Sequence, residues 1–428
     1  MPDYSTTTKI MMTLAALASD GADPRPSGEA RDQHAARIKQ GIAAQLQDTA
    51  LATQGQWSVT WVGLTEDDAN LAYIAQGPND RDGNSVYALV LRGTQMGDLM
   101  DQLEDLQVGQ LHDFFSGGKP PTERQPKISK GAMEAFKEIT AGTDLQQQLA
   151  KLKPHTLYVV GHSLGGAMAT TVALYLQHQV SAGKLPIASI QPYTFAAPTS
   201  GDKVFADWFD QQFPNAVCTY NKYDLVPNAW ATLWKLPLDP LIHQPFYPGP
   251  NDNPPGPGPT ADLTNDIGVL LVAAAALTNG NTYVQPTRQP PLNNESPLQF
   301  LESYTAPATA PVQQFLEQVG YQHWSDTYLR LLNAPQVPPP AVPAVASVSP
   351  TSGNWGTKVT ILPASGSTFT SDCVVDFGGF AAASQTVAPG GTSITAVAPL
   401  GFGAVDIRVT NMFGTSAAGS GDKFTFTF

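Results

Sequence analysis

The chain has 428 residues and a formal net charge of −13; 42% of it is apolar and only 14% charged, with 37 glycines and 37 prolines. At roughly 150 residues per domain this length predicts two or three domains, with long loops between regular elements. The acidity excludes a general nucleic-acid or anionic-lipid binder, both of which need basic patches, but leaves contact with a neutral oily or polymeric surface open. No apolar run reaches the roughly 18 residues of a membrane span. The two cysteines, Cys218 and Cys373, fall on either side of a proline-rich segment and have neither metal-site nor redox spacing; no disulfide is expected.

The N-terminal "KIMMTLAALASDG" has some character of a secretory signal, but Asp3 and a lone Lys9 make a poor basic leader. Ile10–Ala18 reads instead as an amphipathic first helix. An extracellular location is favoured over a cytoplasmic one without a convincing signal peptide. "GEARDQHAARIKQGIAAQLQDTA" has helical spacing, and "QWSVTWVGLT", "NLAYIAQG" and "SVYALVLRG" read as strands bounded by Gly, Asp and Asn. Then come a helix ("KGAMEAFKEIT"), a short continuous apolar strand ("HTLYVVG"), a helix beginning in small residues ("LGGAMATTVALYLQHQV"), a strand ("SIQPYTFAAP"), a helix ("DKVFADWFDQQF") and a strand ("AVCTYNKYD"). Strands alternating with helices predict an α/β fold around a mostly parallel sheet covered on both faces.

From residue 230 to 300 the alternation fails in an insertion that contains "PGPNDNPPGPGP" and an apolar helix candidate, "IGVLLVAAAALTNG", either an ordinary buried helix or part of a cap. Asp252 within it reads as a solvated turn rather than a calcium ligand. "VQQFLEQVGYQHWSDTYLRLLN" is helical, with a break expected near Gly320. A proline-rich linker over 335–342 follows. Residues 343–428 then change pattern to short alternating strands with no helix, the signature of a small all-β sandwich.

The segment Gly161-His162-Ser163-Leu164-Gly165 fits G-x-S-x-G between a strand and a helix, the context in which such a turn presents an exposed nucleophile. The pentapeptide alone is a weak signal; the strand–helix setting and Gly166 strengthen it. A serine nucleophile needs a base, and the base an orienting acid, in the chain order Ser, Asp, His for this fold class. Asp224 ends a strand at the sheet edge where the acid belongs; Asp202 reads as a helix cap, and Asp239 lies in a proline-rich loop. Of seven histidines only His243 and His323 follow Asp224. His323, at the turn in "GYQHW", is favoured, with His243 the fallback. His162 is expected to point away from the nucleophile. The oxyanion donors expected are the N–H of Leu164 and, from "VLRGTQ", Thr94.

The pieces "LVLRGTQ", "KGAMEAF", "VVGHSLGGAMA", "TFAAP", "YNKYDLVP" and "YQHW" together resemble the class 3 (fungal-type) lipases, across roughly Ile10 to Asn333. The resemblance implies an α/β-hydrolase unit over 1–334, catalytic Ser163, Asp224 and His323, oxyanion donors Thr94 and Leu164, and no metal or cofactor. It also implies a lid over 95–115, where Leu99, Met100, Leu103 and Leu106 recur at helical spacing. The tryptophan usual in fungal lids is missing there, and the long insertion after Trp230 is not typical of the family. Residues 343–428 resemble the immunoglobulin-like IPT/TIG domains. The expected activity is hydrolysis of acylglycerol-type esters, with an esterase, polyesterase or phospholipase on the same triad as alternatives. A reading of another class is a non-catalytic binding protein that presents the C-terminal sandwich. The expected partner is a lipid or other ester at an oil–water or polymer surface. Protein or carbohydrate contact by the C-terminal unit is a further expectation.

Overall fold

The computed structural model describes residues 4–20, 29–66, 68–92, 107–114, 123–232, 273, 275–292, 301, 306, 310–338, 342–370, 373–388, 391–411 and 414–427. Two helices, α1 (Thr6–Asp20) and α2 (Arg31–Gln45), precede three strands, β1 (Ser58–Leu64), β2 (Leu71–Gln76) and β3 (Val86–Leu91). A small hairpin of β4 (Leu111–Asp113) and β5 (Lys127–Ser129) leads into α3 (Lys130–Gly142) and α4 (Leu145–Leu152). The alternation continues with β6 (Thr156–His162), α5 (Leu164–Ser181), β7 (Ser189–Phe195), α6 (Lys203–Gln212) and β8 (Val217–Thr219). Two consecutive helices, α7 (Pro311–His323) and α8 (Ser325–Leu331), close this part of the chain.

The main sheet has the order β1-β2-β3-β6-β7-β8. The first three strands pair antiparallel, and β3, β6, β7 and β8 run parallel. A parallel pair needs a crossover, and α3–α4, α5 and α6 supply the three crossovers. Successive strand residues alternate between faces, so the sheet feeds two cores. One holds Leu89, Leu157, Val159, Met168, Val172, Phe205 and Phe209, with α3 and α6. The other holds Val90, Val160, Tyr193 and Phe195, with α1 and α8.

The first helix differs from the amphipathic expectation. Every residue from Met11 to Ala18 is buried, because α1 lies between the sheet and α8, and Tyr73 donates its hydroxyl to the Leu14 carbonyl at 2.6 Å. A helix apolar on all sides is a core element. The break in the last helical stretch also lies later than expected: Gly320 is inside α7, and the chain turns at Trp324.

Of the 230–300 insertion, residues 289–292 extend the sheet edge. Gln289 N–H donates to the Cys218 carbonyl at 2.9 Å and Leu292 N–H to that of Tyr220 at 2.8 Å. His243, Asp239, Asp252 and half of the apolar helix candidate lie outside the described residues, as do Thr94 and lid residues 95–106 and 115.

Beyond residue 342 every described regular element is a strand. One sheet runs β10 (Ser352–Gly353), β18 (Lys423–Phe426), β16 (Ala404–Asn411), β12 (Val374–Phe377), β13 (Phe380–Ala381), with β17 (Gly414–Thr415) also on β16. The other runs β14 (Ser384–Val387), β15 (Ile394–Val397), β11 (Lys358–Pro363), β9 (Val345–Ser349). Val359, Ile361, Phe377, Ile394, Ile407 and Phe424 from both sheets share one core. Cys218 and Cys373 are buried and unpaired with each other.

Candidate active site

The site begins where β6 meets α5. Ser163 has φ +59° and ψ −132°, a left-handed conformation that costs a non-glycine residue on the order of 1–3 kcal/mol and persists only where its surroundings fix it. Two contacts fix it here: Ser163 N–H donates to the Phe195 carbonyl at 2.9 Å, and the Ser163 carbonyl accepts from Gly166 N–H at 2.8 Å. The turn is this tight because its neighbours have little or no side chain. A Cβ on Gly161 would overlap the Gly165 carbonyl, and one on Gly166 would sit 2.8 Å from the Ala197 Cβ.

His323 is the last residue of α7, at the turn before α8, and is fully buried. Its Nε2 accepts from the Ser163 hydroxyl at 2.7 Å, and its Nδ1–H donates to Asp224 Oδ2 at 2.8 Å; these tautomer roles follow from a carboxyl group being the acceptor. Asp224 lies in the turn after β8, also fully buried. A buried carboxyl group needs donors on both oxygens. Oδ1 accepts from Val226 N–H at 2.9 Å, and Oδ2 accepts a second bond, from the Tyr328 hydroxyl at 2.8 Å. Three residues remote in sequence thus meet: Ser163 at the end of β6, Asp224 in the turn after β8 and His323 at the end of α7.

Tyr328 was not anticipated. It is wholly buried in α8, and its oxygen accepts from Asn221 N–H at 2.9 Å while donating to Asp224. Burial, and then the neighbouring Asp224 charge, push its hydroxyl well above the ordinary tyrosine value, so it stays a donor. Asn221 also ties the acid's turn to the base's helix, donating through Nδ2 to Gln322 O at 3.0 Å and Gln322 Oε1 at 2.7 Å. The helical spacing of His323 and Tyr328, five residues apart across a break, gave no sign of this pairing.

The ring of His162 packs against His323, with centroids 5.0 Å apart, and against Tyr328 at 5.3 Å. Burial, and then the nearness of His323, hold its pKa well below the ordinary 6.5, so it is a neutral wall behind the base. Leu164 opens α5, and the first N–H groups of a helix have no partner inside it, leaving them at the positive end of the helix beside Ser163. On the approach to Thr94, Arg92 is buried and donates to the carbonyls of Asp68 at 2.6 Å and Ala69 at 3.3 Å, which anchors the end of β3. Asp202, weighed as an alternative acid, caps α6 by accepting from Phe205 N–H at 2.9 Å. Among the described residues, no cluster of His, Cys, Asp and Glu could hold a metal ion.

The arrangement can activate a hydroxyl, take up its proton and return it. Residues 88–233, from β3 to just past the turn bearing Asp224, match the family model described as lipase (class 3). A secreted alkaline triacylglycerol lipase of Penicillium cyclopium is 28% identical over 147 residues, which is 34% of this chain and 48% of that protein. A secreted mono- and diacylglycerol lipase of Fusarium solani is 34% identical over 87 residues, 20% of this chain and 24% of its own length. The chain thus spans about half, or less, of the curated relatives it matches. The crystal structure of M37 lipase superposes with a TM-score of 0.58 at 23% identity, over 77% of this chain and 93% of that one. That likeness shows a shared α/β-hydrolase fold.

Proposed function

We propose that the chain is a serine carboxylic-ester hydrolase of the class 3 lipase type, acting on acylglycerols. The observation that carries this reading is the unbroken line of hydrogen bonds from the Ser163 hydroxyl through the His323 imidazole to Asp224, set on a strained turn at the start of a helix. The match of residues 88–233 to the lipase model and the two acylglycerol lipases among the relatives support the substrate class. Both relatives are described as secreted, which supports an extracellular location.

In this mechanism Ser163 Oγ attacks the ester carbonyl carbon as its proton moves to His323 Nε2. Asp224 holds Nδ1–H and stabilises the imidazolium that forms. The carbonyl oxygen becomes an oxyanion held by the N–H of Leu164 and by Thr94. Collapse breaks the ester C–O bond, and His323 passes its proton to the leaving alcohol. A water molecule then repeats the sequence on the acyl-enzyme, releasing the fatty acid and restoring Ser163. We further read residues 1–334 as the hydrolase unit, 335–342 as a linker and 343–428 as an immunoglobulin-like sandwich of IPT/TIG type. Two sheets around one apolar core support the last of these.

The test is covalent labelling of the intact chain by a fluorophosphonate, followed by ester turnover. The wild type should label with loss of turnover, and Ser163→Ala should neither label nor turn over. Undiminished labelling of Ser163→Ala would remove that serine from the chemistry.

A further inference from the structure

Four large apolar side chains in the C-terminal strand region stand in solvent: Trp355 (68% exposed), Phe380 (59%), Leu400 (79%) and Phe402 (77%). Strand register puts them at one end. Lys358 at the start of β11 pairs with Val397 at the end of β15, so loop 354–357 and loop 398–403 emerge together. Phe377 pairs with Ile407, and Ala404 with Thr425, which brings the β12–β13 turn and the start of β16 to that same end. The remaining exposed large apolar residues among those described, Leu277, Trp324, Val342 and Leu362, are 38% to 45% exposed; Leu362 sits at the far end of β11.

The loops are held, not slack. Gly356 N–H donates to the Ala398 carbonyl at 3.1 Å and Ala398 N–H to that of Thr357 at 2.9 Å. Phe426 N–H donates to the Gly403 carbonyl, and Gly378 N–H to that of Asp406, both at 2.9 Å. Rigid tips that keep tryptophan, phenylalanine and leucine in water cost free energy that a purely structural loop would not require, and contiguous exposed apolar surface marks a contact site. The chemistry of the tips selects the occupant. Residues 354–357, 378–380 and 398–403 contain no charged side chain; Lys358 is a single cation, far short of the cluster of four to eight that recognises anionic headgroups. Directional polar groups are few as well: the Thr357 hydroxyl is turned to the Asn354 side chain at 3.2 Å, and the bordering Asp376 carboxyl group is engaged by Gly379 N–H at 2.7 Å, which leaves little to read the hydroxyls of a sugar polymer.

We infer that this end of the C-terminal strand region is a docking tip that inserts Trp355, Phe380, Leu400 and Phe402 into an uncharged lipid–water interface, the surface of aggregated acylglycerol. Apolar side chains at such a boundary gain by leaving water, and tryptophan is suited to the boundary itself. The inference rests on the lipase reading for its choice of lipid. The tip would hold the enzyme on the droplet without taking part in ester cleavage.

The full chain carrying Ser163→Ala, which leaves droplets intact, is mixed with triolein droplets and floated by centrifugation. Adding Trp355→Ser, Phe380→Ser, Leu400→Ser and Phe402→Ser is expected to weaken partition into the droplet layer by about tenfold or more, since each removes a large apolar group. With Ser163 present, the same four changes should leave turnover of a dissolved short-chain nitrophenyl ester at the wild-type rate, and a cooperative thermal transition of the β-sheet circular-dichroism signal at the wild-type position reports that the strand region is folded. If that variant fails to fold, Leu400→Ser with Phe402→Ser serves, with a smaller loss expected. Equal flotation with and without these side chains overturns the inference, as does loop-dependent retention on microcrystalline cellulose in place of droplets. A chain that turns over no ester yet floats through these loops refutes the lipase reading alone. One that turns over ester while flotation ignores the loops refutes the docking tip alone.

Discussion

Tyr328 gives the clearest residue-scale consequence. Its hydroxyl is one of three donors to the buried Asp224 carboxyl group and shares Oδ2 with His323. Tyr328→Phe removes that donor and strands the Asn221 N–H that bonds the same oxygen. A buried unsatisfied group costs about 1–3 kcal/mol, so the urea midpoint should fall. Tyr328 acts through Asp224 as a positioning residue, and activity should report this separately from stability. With one donor fewer, the carboxyl group is less firmly placed against Nδ1–H, so kcat is expected to fall on the order of tenfold with KM unchanged. A variant that loses stability but keeps the wild-type kcat would make Tyr328 structural only.

At the scale of elements, each site residue sits where one segment hands over to the next: Ser163 between β6 and α5, Asp224 after β8, His323 at the end of α7. These junctions are aimed by elements far from the chemistry. Asp202 is an instance, accepting from Phe205 N–H at the start of α6 and from Lys127 N–H of β5 at 3.3 Å. Asp202→Ala should cost about 1 kcal/mol, the usual worth of a helix N-cap, read as a lower urea midpoint. Fluorophosphonate labelling of the folded protein should keep its wild-type rate. A labelling defect would mean that α6 helps shape the site. The helices and parallel strands were legible from their periodicity, because apolar spacing of 3.6 or a continuous apolar run follows from how each element is covered. The position of the α7–α8 break was not. Gly320 is the weaker helix former, yet the chain turns at Trp324 because His323 must reach into the site.

For the whole molecule, buried histidines set a pH dependence. His162 is kept neutral by burial and, secondly, by its nearness to His323; His34 is shifted in the same direction by burial and then by Arg37. In the unfolded chain both titrate near 6.5. As pH falls below that value the unfolded state takes up protons that the folded state refuses, so stability present above pH 6.5 is lost on acidification. The slope is about 1.4 kcal/mol per pH unit for each fully linked proton. The Tm should therefore drop between pH 7 and pH 5, and His162→Asn should make that drop smaller. An unchanged drop would mean that His162 is not one of the linked groups.

What the sequence determined by itself was the chemistry of local patterns: a strand–turn–helix with glycines at the points of closest approach, an acid following a strand, a proline-rich stretch, and short alternating strands after it. These are readable because backbone sterics and apolar periodicity act over a few neighbouring residues. The tertiary structure alone decided that Met11–Ala18 of α1 is buried on every side, that Tyr328 and Asn221 brace the acid, that His162 packs behind the base, and that four apolar side chains from three separate segments come to one end. Each of these is a contact between segments far apart along the chain. Its energy depends on distance in space, which no local pattern carries.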